Sequence, residues 1–396
     1  MTTMLQLDKP TPAPARRFAL WELGFRPFYL LASVFAALSI ALWALQFAGW
    51  LGHAYLNGPL WHAHEMVFGF VLAVIVGFLL TAGSNWTGRP TLKGPPLAAL
   101  AALWLLARVL VLTPWGWAAA AANVAFPLAA AAVLVRAFVR ARSWRNIFFV
   151  AVLVGMALAD GAIFLAQLGV FDLPPLFGIA VALDLVLFVV AAMAGRVVAM
   201  FTNNGVPGAA ARRNPAVERA ALGSLLLLIA ADVLRAPGWL LAAIAVVAAL
   251  AHLTRWWLWQ PWRTLRVPLV WVLHVAYLWV PVHLVLRAGA EMGWVAPTLA
   301  WHALTAGAIG GMIIGMMTRT ARGHTARPLR ADAFDVACYA CVLLAGLVRV
   351  ALPLAAPALT LHAVLCSAAL WSAGFGLYAL RYGPMLLRPR PDGRPG

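Results

Sequence analysis

Apolar runs of roughly 20 residues recur from Phe28 to Leu380, each long enough to cross the ~30 Å hydrocarbon core of a bilayer as a helix. In lipid a backbone has to satisfy its own hydrogen bonds, so a spanning chain is either helical or part of a closed barrel. Barrel strands read as alternating segments of about ten residues, and the sequence shows none. The pattern predicts an all-α fold, a polytopic transmembrane helical bundle. About twelve spans are expected, near 28–50, 61–84, 95–112, 116–139, 146–168, 175–200, 217–235, 238–256, 268–289, 297–318, 332–353 and 358–381. The connections are short and rich in Gly, Pro, Asn and Arg, with no room for a soluble domain. The organisation read from this is a basic tail at 1–27, one transmembrane domain over 28–381 and a second basic tail at 382–396. The apolar run after the first tail is too long for a signal-peptide core and lacks a cleavage pattern, so it is the first helix.

Composition agrees: 64% of residues are hydrophobic and only 10% charged, which a soluble domain does not carry. The net charge of +17 raises the question of nucleic acid, and topology answers it. With the N-terminus inside and strict alternation, 25 of the 29 Lys and Arg residues fall on the inner side, as the positive-inside rule requires. Arg108, Arg235, Arg287 and Arg349 fall toward the outside. The expected topology is N-in and C-in, and the charge sets orientation, so no nucleic-acid partner is expected. Cys338, Cys341 and Cys366 lie in apolar runs and make no disulfide framework.

Ionisable groups inside spans usually face the bundle interior and mark function. In the alternating topology His62, His64, His283, His302 and His362 sit in or at membrane helices at the outer side, and His53 lies in the first outer loop. His252, His274 and His324 are inner. Asp160, Asp184 and Asp232 fall within spans, mostly in the outer half, beside Glu65. A lone histidine at a helix end is usually an interfacial hydrogen-bonder. Five at one depth on four helices point instead to a shared metal site, with His362 the weakest member. For the outer arginines two roles stay open. They snorkel to the interface, or Arg108, Arg235 and Arg349 clamp an anionic group on a cofactor.

His62 and His64 are two residues apart, about 200° around a regular helix, so they serve different centres unless the first turn is irregular. Small residues follow on the faces of His62 and His302: Gly69 with Met66, and Gly310 with Ala306. They leave room for a flat macrocycle or serve close helix packing, and the Gly307, Gly311, Gly315 stripe reads as packing. The two inward segments also rhyme, Trp61-His62-Ala63 against Trp301-His302-Ala303. Cys338 and Cys341 are read as two small core residues at helical spacing. No CxxCH is present, so any haem would be non-covalent. His324, in RGHTAR, is a bilayer away from His302 and is read as ordering its loop.

The stretches WHAHEMVFGFVLAVIVGFLLTAGSNWTGRP at 61–90 and WHALTAGAIGGMIIGMMTRTARGHTAR at 301–327, with ELGFRPFYLLA at 22–32, resemble the NnrS family. The resemblance implies a bacterial inner-membrane protein of about twelve helices that binds haem and copper and belongs to the nitric oxide response. His62, His64 and Glu65, and His302 with His324, stand at the family-motif polar positions. Imidazole ligates both iron and copper, and Glu65 is placed to fix the far nitrogen of a ligating ring.

Two function classes follow. In the first, a b-type haem and copper site acts on nitric oxide or derived species and relieves nitrosative stress, with Asp160, Asp184 and Asp232 as a proton path. Nothing in the sequence identifies an electron donor or decides between turnover and binding. In the second, the chain is a secondary transporter or a haem or metal carrier. The gathering of histidines toward one surface, and the lack of a half-to-half repeat, favour the first.

Overall fold

The computed structural model describes residues 18–52, 58–174 and 176–394, so His53 and the outermost tail residues lie outside them. Among the described residues there is no strand, and twelve main helices follow one another: α1 Phe25–Phe47, α2 Gly58–Thr87, α3 Pro95–Leu110, α4 Gly116–Arg140, α5 Phe148–Gln167, α6 Phe177–Gly205, α7 Pro215–Val233, α8 Gly238–Leu258, α9 Pro268–Glu291, α10 Pro297–His324, α11 Ala333–Ala355 and α12 Thr360–Leu387. Each falls on an expected span. Ten are long and apolar enough to cross a membrane. The other two are α3, which has 16 residues, and α7, which carries Glu218, Arg219 and Asp232 within 19.

Local chemistry marks the helix ends. Proline opens α3, α7, α9 and α10, where its missing N–H costs nothing. Asn214 caps α7 through its side-chain oxygen, and Asp332 with Asp335 forms a capping box at the start of α11. Pro127, Pro281, Pro353 and Pro384 lie inside helices, which membrane bundles tolerate because neighbours satisfy the freed carbonyls.

The packing has a four-helix period that the sequence pattern does not reveal. Helices α1–α4, α5–α8 and α9–α12 form three successive groups. Each group joins the next through one extensive contact, α4 on α5 and α8 on α9, and α12 on α1 closes the ring. Closure is reinforced where the described ends meet. The Ala19 N–H donates to Leu387 O at 2.8 Å, and Arg26 Nη1 donates to Leu386 O at 2.8 Å. The second helix of each group lies inward. In α2 and α10, 83% and 78% of the apolar stretch is buried, against 39–50% for most of the outer helices. Helix α6, at 61%, touches both of them.

α2 and α10 share a second feature. Each begins as an α-helix that carries the Trp-His pair and then widens into a π-helix, at Glu65–Val71 and Ala303–Ile309. Stretches of π-helix are rare and concentrate at functional sites. A wider turn leaves carbonyls in need of donors. Trp104 Nε1 reaches Gly69 O at 2.9 Å, and Thr305 Oγ1 reaches Trp301 O at 2.9 Å.

Candidate metal and cofactor site

A cavity of about 320 Å³ lies between α2, α6 and α10, with α1, α11 and α12 completing its wall. That is within the range of small-molecule pockets. Its lining is apolar, with Trp43, Met66, Ile179 and Trp371 among the walls, and only a few polar side chains enter, chiefly His62, His302 and Arg349.

The two histidines face each other from the openings of the two inner helices. Their ring planes lie within 8° of parallel and their centroids are 6.2 Å apart. The Trp43 indole stacks on the other side of His62 at 4.9 Å, again within 8°. His302 Nδ1 lies 2.6 Å from Thr298 O. A carbonyl only accepts, so Nδ1 carries the proton and donates, which leaves Nε2 as a bare lone pair. Among the described residues neither nitrogen of His62 has a hydrogen-bond partner. Two parallel imidazoles with free lone pairs beside an apolar cavity form a donor set suited to iron. Because the rings are stacked, their lone pairs lie in parallel planes, and a metal shared by the two would require one ring to turn.

His64 points elsewhere, as the two-residue step requires. Its Nδ1 lies 2.8 Å from Glu65 Oε1 and its Nε2 lies 2.8 Å from Asp160 Oδ1. Arg108 Nη1 donates to Glu65 at 2.5 Å, and Nη2 donates to Asn123. All five side chains are buried. Both nitrogens of His64 are thus engaged by carboxylates, and Arg108 is committed to an ion pair within the bundle. The small residue Gly69 makes this possible: a Cβ there would come within 2.9 Å of Arg108 Nη1 and 2.6 Å of the Phe35 ring. Gly310, on the His302 helix, faces Trp371 and Val342. Both glycines therefore serve packing, as does the stripe at Gly307, Gly311 and Gly315, while Met66 and Ala306 line the cavity.

The remaining expected residues scatter. His283 on α9 is buried, with Nδ1 donating to Ala300 O at 2.7 Å and Nε2 unpartnered, but it does not line the cavity. His362 is exposed. Arg235 is exposed over the Phe177 ring, so only Arg349 of the three proposed clamps lines the cavity. The three acids divide. Asp160 belongs to the His64 network, whereas Asp184 and Asp232 both bind Arg287. At the other end, His252 sits between Tyr277 and Ala221 O, His274 bonds Thr202, and His324 packs against Phe25. Three participants escaped the sequence reading. Asn123 was visible as a lone amide in an alanine-rich span. Arg287 was grouped with the other outer arginines rather than with its acids. Trp43 carried no signal, because indole is ordinary in a membrane helix.

Among the described residues no group of three or more His, Cys, Asp or Glu side chains is placed to hold a metal ion, and His62 and His302 are the two imidazoles that line the cavity. A search of curated proteins finds no match. A family model described as NnrS protein matches residues 19–390, which takes in all twelve helices, both π-helical segments and every wall of the cavity. The chain belongs to the NnrS family.

Proposed function

We propose that this protein spans the bacterial inner membrane twelve times with both termini in the cytoplasm, holds a b-type haem between α2 and α10, and handles nitric oxide in the response to nitrosative stress. The observation that carries this reading is the parallel His62–His302 pair, with free lone pairs, across an apolar cavity. When bound, haem supplies an iron that accepts an electron and binds nitric oxide. The residues divide the remaining work. His62 and His302 would supply the imidazole donors from two inner helices, one to hold the iron and the other to stand beside the ligand it binds. Trp43 fixes the plane of the His62 ring. The Thr298 carbonyl fixes the His302 tautomer and makes its Nε2 a better donor. Arg349, at the wall, is the cation suited to a propionate. The apolar lining excludes water and admits a small apolar molecule that partitions into lipid.

Copper, the second metal implied by the family resemblance, has no comparable donor set among the described residues. His64 would have to release a carboxylate to ligate it, and His283 stands alone. No step is assigned to copper here.

The test is optical and metal analysis of detergent-purified protein. The wild type should show a haem Soret band in roughly stoichiometric amount. Monodisperse His62→Ala and His302→Ala variants should each lose it, and His362→Ala should keep it. Colourless wild-type protein would favour a carrier or transporter. Full haem retention in both well-folded variants would overturn the ligand assignment.

A further inference from the structure

Beside the cavity lies a second charged group, independent of the histidine pair. Arg287 on α9 forks between two acids on different helices. Its Nη1 donates to Asp184 Oδ1 on α6 at 2.6 Å, and its Nη2 donates to Asp232 Oδ2 on α7. Asp184 is buried, whereas Arg287 and Asp232 are 12% and 15% exposed. The charges do not balance: with both acids ionised, one guanidinium faces two carboxylates, leaving a net negative charge inside a membrane bundle. Such a charge is costly unless something neutralises it. The neighbours do not supply the missing cation. Glu291 on α9 is a third acid, and His283 on α9 presents a bare Nε2. Arg235, three residues after Asp232, turns to the Phe177 ring.

Two further observations identify the occupant. Asp184 Oδ2 is buried and has no donor. Arg287 also draws the Asp184 and Asp232 carboxyls together, because the two nitrogens of one guanidinium each hold an oxygen of a different acid. Two carboxylates held in this way repel, and a proton between them turns the repulsion into an O–H···O bond. We propose that Asp184 and Asp232 share one proton at neutral pH, forming a proton-storage site in the wall of the bundle. The proton sits between the carboxyl groups, each acid keeps one oxygen on Arg287, and the cluster becomes neutral. Its position gives it a direction. Asp232 and Glu291 are the partly exposed members, Asp184 is the deep one, and Asp184 follows Leu183, which lines the cavity. A proton taken up at Asp232 reaches the buried Asp184 in a single carboxyl-to-carboxyl step.

The proposal is independent of haem and is tested on cofactor-free protein. Infrared difference spectra at neutral pH compare wild type with Asp184→Asn and with Asp232→Asn, each checked for monodispersity. Both differences should show loss of the same carboxylic-acid C=O band, shifted in heavy water. Carbodiimide, which attacks protonated carboxyls in apolar surroundings, should label Asp184 or Asp232 of the wild type in peptide mass spectra. This second measurement decides if a variant fails to fold. A band retained in both variants, or a wild type unlabelled at both acids, would overturn the shared proton. Sodium-dependent thermal stabilisation with no acid band would replace it with a bound alkali cation.

Discussion

The inner helices α2 and α10 start alike and diverge within three residues. Both carry Trp-His-Ala, both widen into a π-helix, and both aim the triplet histidine into one cavity. After His302, α10 continues with Ala303 and Leu304, whereas α2 adds His64 and Glu65 and anchors them to Asp160, Arg108 and Asn123. The common part serves the cavity, and the added part is an ion network turned toward α3, α4 and α5. A histidine in a membrane helix can therefore be a free donor or a bridge between carboxylates, depending on which face it occupies. The contrast extends to arginine. Arg108 is locked into that network, while Arg349 lines the cavity with no ion pair among the described residues.

The largest expected effect comes from breaking the network. Arg108→Leu leaves Glu65 buried without its cation. Removing one partner of a buried ion pair costs about 3–5 kcal/mol, so the thermal midpoint of cofactor-free protein in detergent should fall steeply. Arg349→Leu should leave the midpoint near that of the wild type, because no buried acid loses a partner. Its loss should appear in haem retention. Equal destabilisation by the two variants would erase the distinction between a structural arginine and a cavity arginine.

Next is the packing that holds the two π segments. A Cβ on Gly346 of α11 would lie 2.9 Å from Gly307 Cα and 3.0 Å from Ala306 O. These are backbone atoms of the α10 π segment, which cannot rotate away. A Cβ on Gly69 meets the Phe35 ring and the Arg108 guanidinium, which are side-chain rather than backbone atoms. Overpacking costs about 1–3 kcal/mol, and Gly346→Ala should lie at the upper end and disturb haem binding by displacing Ala306 and the helix that carries His302. Gly69→Ala should lie lower. The reverse order, measured by the thermal midpoint, would show that α2 is the more tightly held helix.

Much of this architecture was legible in the sequence, for identifiable reasons. Bilayer thickness sets the helix length, so all twelve helices fall on the expected runs. The His62–His64 step fixed their divergence, because residues two apart lie about 200° around a helix from each other. The Trp-His-Ala rhyme located the two cavity histidines. Illegible were the partners. Whether Asp184 meets Asp160 or Asp232 depends on how α5, α6, α7 and α9 pack, and hydropathy says nothing about neighbours. His283 and His302 were placed at one depth, yet only His302 lines the cavity, since depth leaves the direction around a helix undefined. The π segments were invisible because Glu65–Val71 and Ala303–Ile309 read as ordinary apolar helix.

The smallest effect probes the π segments themselves. In α2 the donor to the widened turn is the Trp104 indole, which is buried and reaches across from α3 to Gly69 O. In α10 the donor is Thr305, four residues along on the same helix and half-buried at the cavity wall. Trp104→Phe removes the N–H together with part of a buried indole, stranding a carbonyl at a cost of about 1–3 kcal/mol and leaving a void that adds to it. Thr305→Val keeps the shape and removes a hydroxyl beside a cavity, where the Trp301 carbonyl has another route to a donor, so its cost should be lower, on the order of 0.5–1.5 kcal/mol. Amide hydrogen exchange reads both locally. Protection should fall across 65–71 in Trp104→Phe and, to a smaller extent, across 303–309 in Thr305→Val. If neither variant alters exchange in its own segment, the side-chain donors are incidental to the π-helices, and the shape of α2 and α10 is set by helix packing.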